Sequence, residues 1–177
     1  IVFTTAPFFA KSNGAFALED FDLYCAVISA LVWRSDGSRI YLYCDSAAGE
    51  YIRTAGLEQV WDGVRCTVPS DLDGIDPEMF WAAGKLYALA AMPSPCVMID
   101  TDFICWKPVS GLLTGLDAAA IHREDILPSI YPDKTAFSCT DGFPLEAFDW
   151  TVQPFNTALA YFGDDDFRRY YTAVSYT

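Results

Sequence analysis

The stretch from Pro95 to Phe103 reads Pro-Cys-Val-Met-Ile-Asp-Thr-Asp-Phe, and it joins a short apolar run to two acidic residues. Apolar residues at helical spacing precede it over 77–92, and Pro77 is a residue favoured in a first helical turn. A short apolar run after such a helix is typical of a buried strand in an α/β sheet. The stretch therefore predicts a strand over 97–99 that ends in an Asp-Thr-Asp sequence.

The same alternation of strand and helix patterns continues on both sides of this stretch. The predicted strands are 1–5, 39–44, 64–68, 97–99, 116–121 and 157–162, and the predicted helices are 18–32, 47–55, 77–92 and 164–174. Residues 122–153 are irregular and rich in proline. Repeated alternation predicts one α/β domain over residues 1–177, with a mostly parallel central sheet flanked by helices on both faces.

The charge and hydropathy of the chain exclude several classes of protein. Its 177 residues include 11 Lys and Arg against 24 Asp and Glu, which gives a formal net charge of −13. An acidic chain without a run of basic residues does not suit nucleic acid or an anionic membrane surface. Hydrophobic residues make up 53%, which excludes intrinsic disorder. No apolar stretch reaches the roughly 20 residues of a membrane span.

The cysteines favour free thiols over disulfides or a zinc site. Six cysteines are scattered without a Cys-x-x-Cys pair, and His122 is the single histidine. Several of them, such as Cys44 and Cys96, stand inside apolar runs, where cysteine behaves as a small buried hydrophobe. We therefore expect reduced thiols and a cytoplasmic location.

Asp100 and Asp102 are the main candidates for a metal site. In an extended chain the side chains alternate, so these two carboxylates are expected on one side and Thr101 on the other. Partly buried carboxylates repel each other unless a cation lies near them, and Mg²⁺ or Mn²⁺ prefers oxygen ligands. The alternative is that Asp-Thr-Asp only caps a turn after the strand.

A helix with a basic residue, a short break, an apolar strand and Asp-x-Asp follow one another from Phe80-Trp-Ala-Ala-Gly-Lys85 to Asp100-Thr-Asp102-Phe-Ile. This order resembles the DXD-containing glycosyltransferases of GT-A fold, in particular glycogenin-like, bacterial galactosyltransferase-like and capsular-polysaccharide-type sugar transferases. The resemblance implies a Rossmann-like GT-A sheet and a UDP-sugar donor bound through Mn²⁺ or Mg²⁺ at the two aspartates. It also implies a carbohydrate, lipid-linked or protein acceptor, with surface polysaccharide synthesis as one setting. Such domains are usually longer and often supply a histidine as a third metal ligand, and no histidine follows His122, so either a C-terminal part is missing or water and phosphate complete the metal shell.

The resemblance also implies roles for other residues. The expected donor-binding residues are Thr4, Thr5, Ala6, Asp45, Lys85, Asp100, Thr101, Asp102 and Asn156. The expected catalytic residues are Lys85, Asp141 and Asp149. Lys85 would add positive charge near the diphosphate, and Asp141 or Asp149 would deprotonate the acceptor if configuration is inverted, whereas a retaining reaction needs no dedicated base.

Several of these residues also have plain structural interpretations. Lys85 can be a solvent-exposed charge on a helix, and Asp45 can be a helix cap. Asn156 can occupy a strand edge or a turn. Asp164-Asp-Asp166 is interpreted as a helix start, because acidic residues stabilise the positive end of the helix dipole.

Two other functions stay open. One is a non-catalytic domain that binds a nucleotide sugar or a partner. The other is a phosphatase of the haloacid dehalogenase type, whose nucleophile is the first Asp of a strand-end D-x-D, although that motif normally stands near the N-terminus.

Overall fold

The structure is a computed structural model that describes residues 1–5, 11–12, 15–69, 82–131, 133–136 and 145–176. The strands within these residues are β1 (Val2–Thr5), β2 (Lys11–Ser12), β3 (Ala15–Phe16), β4 (Ile40–Tyr43), β5 (Gly63–Arg65), β6 (Cys96–Ile99), β7 (Ala118–Ala120) and β8 (Leu159–Phe162). The helices are α1 (Asp20–Ser35), α2 (Ser46–Thr54), α3 (Ala83–Ala91), α4 (Ser110–Leu113) and α5 (Asp165–Tyr176). Short 3₁₀ turns cover Glu58–Val60, Lys134–Ala136 and Leu145–Ala147.

In the part of the chain that the structure describes, six strands form one sheet in the order β5-β4-β1-β6-β8-β7. Strand β1 pairs in parallel with β4 and β6, and β4 pairs in parallel with β5. Strand β8 runs antiparallel to both β6 and β7. The predicted α/β architecture with a mostly parallel sheet is therefore confirmed, with β8 as the reversed strand.

The chain order of the strands changes direction at β1. Strands β4 and β5 follow on one side of β1, whereas β6 lies on its other side. In open α/β sheets, a crevice forms at the carboxyl ends of the strands where the order changes in this way. This places the end of β1 and Asp100, which follows β6, beside the position where such sheets bind ligands.

The two faces of the sheet carry separate apolar cores, because side chains alternate along each strand. One core includes Ile40 and Ile99 of the sheet with Trp33 of α1. The other includes Phe3 and Met98 of the sheet with Leu89 of α3. Helices therefore cover both faces, as the sequence predicts.

The helix boundaries follow local sequence signals. Gly37 and Gly56 follow α1 and α2 with positive φ angles of 79° and 69°, a backbone conformation that glycine adopts at helix ends. Before α5, Asp164 Oδ1 accepts hydrogen bonds from the backbone N–H groups of Asp166 and Phe167 at 2.9 Å each. This confirms the interpretation of the Asp164–Asp166 run as a helix start.

Other boundaries differ from the predictions. The helix predicted over 77–92 falls partly on residues 70–81, which lie outside the described residues, and its described part begins at Ala83. The strand predicted over 157–162 begins at Leu159. None of the described helices has both the length and the apolar character to cross a bilayer.

Helices α3 and α5 are joined by Arg168, whose side chain is only 7% exposed. Its guanidinium donates from Nη1 to the backbone oxygens of Leu89 at 2.8 Å and Ala90 at 3.3 Å. A cation at the last carbonyls of a helix satisfies groups that have no partner within the helix. Arg168 thereby fixes α5 against the end of α3.

A long segment between β6 and β8 differs from the rest. In residues 101–158, described as 101–131, 133–136 and 145–158, no described residue is buried. Large apolar side chains are exposed there: Trp106, Leu112, Leu116, Ile121, Ile126, Leu127, Ile130, Phe148, Val152 and Phe155. We call it the 101–158 segment.

Candidate functional site

The Asp-Thr-Asp sequence forms a turn. Strand β6 ends at Ile99, and the backbone N–H of Phe103 donates to the Asp100 carbonyl oxygen at 3.1 Å. The chain is therefore not extended between Asp100 and Asp102, and the predicted placement of their carboxylates by strand alternation is wrong. The turn that the sequence left open is present. Asp100 is partly buried and Asp102 is exposed, so the expectation that both are partly buried holds only for Asp100.

Lys85 and Asp100 form an ion pair, with Lys85 Nζ donating to Asp100 Oδ1. Their side chains are 13% and 26% exposed. Lys85 lies in the first turn of α3, so this turn is at the carboxyl edge of the sheet. The structure thus brings together two residues that the sequence proposed for one site, and Lys85 is not a solvated helix charge. The pair compensates the partly buried carboxylate, which would be costly to leave unpaired.

The residues expected at the ends of β1 and β4 have different surroundings. Thr4 is buried opposite Ile99 in the parallel register, and its hydroxyl has no hydrogen-bond partner among the described residues. Thr5 is the last residue of β1. Asp45 is 5% exposed, and its Oδ1 accepts from Ala48 N at 2.8 Å, which confirms a helix cap for α2.

Asn156 lies in a polar network beside β6. Its amide Nδ2 donates to Glu124 Oε1 at 2.7 Å, and its Oδ1 accepts from Ala158 N at 3.0 Å. Tyr131 donates its hydroxyl to Glu124 Oε2. The hydrogen bonds from Tyr131 and Asn156 hold the pKa of the Glu124 carboxyl below its ordinary value. The Ala158 carbonyl oxygen accepts from Asp100 N at 2.9 Å, so this network adjoins the turn.

Glu124 is the residue that sequence reasoning missed. It enters the network because the chain around His122–Glu124 pairs with Pro154–Asn156: Asn156 N donates to His122 O at 2.9 Å, and Glu124 N donates to Pro154 O at 2.8 Å. These two stretches are far apart in the sequence, and no local pattern links them. The only local feature of the sequence that pointed to this network was the polar Asn156 after Pro154, and it identified just one of the residues in it.

The other candidates are less informative. Asp149 Oδ1 accepts from the N–H of Thr151 at 3.0 Å and from its hydroxyl at 2.6 Å, and these hydrogen bonds lower the pKa of Asp149. A carboxylate with a lowered pKa is a weaker base. Ala6 and Asp141 lie outside the described residues.

The described side chains suit a metal ion only if substrate phosphates and water supply the other ligands. Among the described residues, no three or more His, Cys, Asp or Glu side chains are grouped to hold one. Asp100 and Asp102 nevertheless belong to one tight turn, and Mg²⁺ is often held by one or two carboxylates with substrate phosphates and water. The two aspartates therefore fit the chemistry of an ion that arrives with a diphosphate.

Comparisons of the chain with protein-family models, with curated proteins and with solved structures found no match. Function is therefore inferred from the residues at this edge of the sheet.

Proposed function

We propose that the protein is a cytoplasmic, metal-dependent glycosyltransferase that moves a hexosyl group from a UDP-sugar to an acceptor hydroxyl. The observation that carries the proposal is the Lys85–Asp100 pair at the carboxyl end of β6, next to the change in strand order. A carbohydrate, a lipid-linked sugar or a protein is the proposed acceptor.

The charges at the site suit an anionic donor. The chain carries a net charge of −13, which repels a nucleotide diphosphate unless a local cation compensates. Lys85 offsets the negative charge of Asp100, and the amino end of α3 adds a partial positive charge beside the pair. Asp100 and Asp102 would hold Mn²⁺ or Mg²⁺, which when bound neutralises charge on the leaving diphosphate.

The polar network around Asn156 carries groups that can hydrogen-bond to the hydroxyls of the donor sugar. Asn156 and Glu124 present an amide and a carboxylate next to Ala158, whose carbonyl oxygen binds Asp100 N. Because its pKa is lowered, Glu124 remains ionised and serves as a hydrogen-bond acceptor for sugar hydroxyls rather than as a base. Asp149 also has a lowered pKa, which makes it a weaker base for an acceptor hydroxyl, and a retaining reaction needs no such base.

A non-catalytic nucleotide-sugar-binding domain is the second candidate. Lys85 compensates Asp100 without a metal ion, and the described residues supply no third acidic, cysteine or histidine ligand. These two observations favour binding without turnover.

The first experiment measures release of UDP from a panel of UDP-sugars, with and without Mn²⁺. We expect wild-type hydrolysis to require Mn²⁺ and Asp102→Asn to lose on the order of 100-fold, the effect of removing a group that stabilises charge in the transition state. The control is Asp117→Asn, because Asp117 is also exposed beside a strand but precedes β7, at the opposite edge of the sheet.

Three outcomes separate the candidates. Turnover without metal, or full activity of Asp102→Asn, contradicts the transferase proposal. Binding of UDP without hydrolysis of any donor supports the binding domain. Trapping of a phosphate mimic on Asp100 supports the phosphatase.

A further inference from the structure

Two thiols face each other at the carboxyl ends of neighbouring strands. Cys44 follows β4 and Cys66 follows β5, directly after the last register pair, Tyr43 and Arg65. The Cys44 N–H donates to the Arg65 carbonyl oxygen at 3.0 Å, so the pairing continues one residue beyond the strands. The two Sγ atoms are 3.9 Å apart.

This arrangement suits a disulfide. Neighbouring strands lie about 4.8 Å apart, and a disulfide is compatible with Cα atoms about 4.4 to 6.8 Å apart. The sulfur atoms must approach from 3.9 Å to about 2 Å. We expect rotation of the two side chains to supply this movement, because the Cα spacing of paired strands already lies within the range of a disulfide.

The two thiols differ in access to solvent. Cys66 is exposed, whereas Cys44 is fully buried. Burial and the adjacent Cys66 raise the pKa of the Cys44 thiol. An oxidant in solution therefore meets Cys66 first.

We propose that Cys44 and Cys66 form a reversible disulfide by exchange with a small-molecule disulfide such as oxidised glutathione. The Cys66 thiolate attacks one glutathione sulfur, which breaks the glutathione S–S bond, forms a mixed disulfide and releases one glutathione thiolate. Cys44 then loses its proton and attacks Cys66 Sγ, which forms the Cys44–Cys66 bond and releases the second glutathione thiolate. The protein loses two protons and two electrons, and oxidised glutathione takes them up to become two molecules of reduced glutathione.

Gly49 leaves the space that the Cys66 sulfur occupies. A Cβ atom on Gly49 would lie 2.3 Å from Cys66 Sγ and 3.5 Å from Cys44 Sγ. Because Cys66 is exposed, an added methyl group would push its side chain outward, away from Cys44. Gly49→Ala therefore separates the two sulfur atoms while both thiols remain in the chain.

The test treats the full chain with oxidised glutathione, blocks remaining thiols and digests the product with trypsin without reduction. Cleavage after Arg39, Arg53, Arg65 and Lys85 releases Cys44 in peptide 40–53 and Cys66 in peptide 66–85. We expect these two peptides to be linked, with the loss of two hydrogen atoms, and to separate after addition of a reducing agent. Cys25→Ser, which removes a thiol of α1, is the matched control that retains the link.

The variants make the result decisive. Cys66→Ser changes an exposed residue, so it should fold, and it must abolish the linked peptides. Cys44→Ser should stop the reaction at the mixed disulfide on Cys66, and Gly49→Ala should slow closure at least about tenfold, as expected when access between sulfurs is lost. A stable mixed disulfide on wild-type Cys66, disulfides between two chains, or unchanged closure in Gly49→Ala would overturn the proposal.

Discussion

The sheet with its helices and the 101–158 segment use apolar residues in opposite ways. Strands such as β6 have every side chain buried between two layers of helices. In the described residues of the 101–158 segment no side chain is buried, and Trp106 and Leu112 are 73% and 74% exposed. Hydrophobicity therefore stabilises the fold in the first region, whereas in the second it forms exposed surface.

Because of this difference, we expect substitutions in the two regions to affect different properties of the protein. Changes in the sheet and its helices are expected to lower the free energy of unfolding, whereas changes in the 101–158 segment are expected to leave it nearly unchanged and to alter only local contacts. Exposed apolar patches are typical of surfaces that contact a ligand or a partner.

The largest effect is expected for Leu89→Ala. Leu89 is fully buried in the core between α3 and the sheet, so the substitution leaves a cavity and should lower the free energy of unfolding by about 2–5 kcal/mol. Leu112→Ala, the control in the 101–158 segment, should change it by less than about 0.5 kcal/mol. Chemical denaturation of both variants checks this, and equal losses would contradict the comparison.

The next effect is expected for Arg168→Ala. The change removes hydrogen bonds to the carbonyl oxygens of Leu89 and Ala90, and loss of such bonds to a charged group should cost about 1.5–3 kcal/mol. Its neighbour Arg169, whose side chain is 70% exposed, is the matched control, and Arg169→Ala should stay within about 0.5 kcal/mol of wild type. A denaturation midpoint unchanged in Arg168→Ala would show that α5 does not depend on this contact.

A smaller effect is expected at Asp45. Asp45→Ala removes the cap of α2 and should cost about 1 kcal/mol, whereas Asp45→Asn, which also caps helices, should retain most of the stability. If Asp45 also binds the donor, Asp45→Asn will weaken UDP binding at nearly wild-type stability. Thermal unfolding with and without UDP separates the two roles, and equal destabilisation by both substitutions would exclude capping as the reason.

The smallest effect is expected for Tyr131→Phe in the 101–158 segment. The Tyr131 hydroxyl is the main cause of the lowered pKa of Glu124, so its removal should raise that pKa toward the ordinary value. Because the pKa of Glu124 is lowered in the folded state, the network stabilises the fold at pH values above the ordinary pKa of Glu. This stabilisation is lost as the pH falls through the folded-state pKa. NMR titration of Glu124 measures the shift, with Tyr170→Phe as control. An unchanged Glu124 titration in Tyr131→Phe would mean that the hydrogen bond is absent in solution.

Most of the fold could be predicted from the sequence because its signals are local. Apolar runs such as 97–99 mark buried strands, and Asp45 and Gly56 mark the ends of a helix between strands. The reversal of β8 could not be predicted, since pairing direction depends on contacts between distant segments.

The candidate site could be predicted only in part for the same reason. Asp100 was predicted because the end of an apolar strand is a local signal, and Lys85 because of the resemblance to the DXD-containing glycosyltransferases. The turn at Thr101 and Asp102 was only one of two alternatives, because the residues after a strand are compatible with either an extended chain or a turn. Glu124 was missed because its contact with Asn156 spans 32 positions.

The most direct test of the central claim is a calorimetric titration of the protein with UDP, with and without Mn²⁺. We predict heat of binding that requires Mn²⁺ in wild type and in Asp117→Asn and that disappears in Asp102→Asn. Binding of UDP that is independent of Mn²⁺, or equal in Asp102→Asn and wild type, would contradict a metal-dependent nucleotide site at the end of β6.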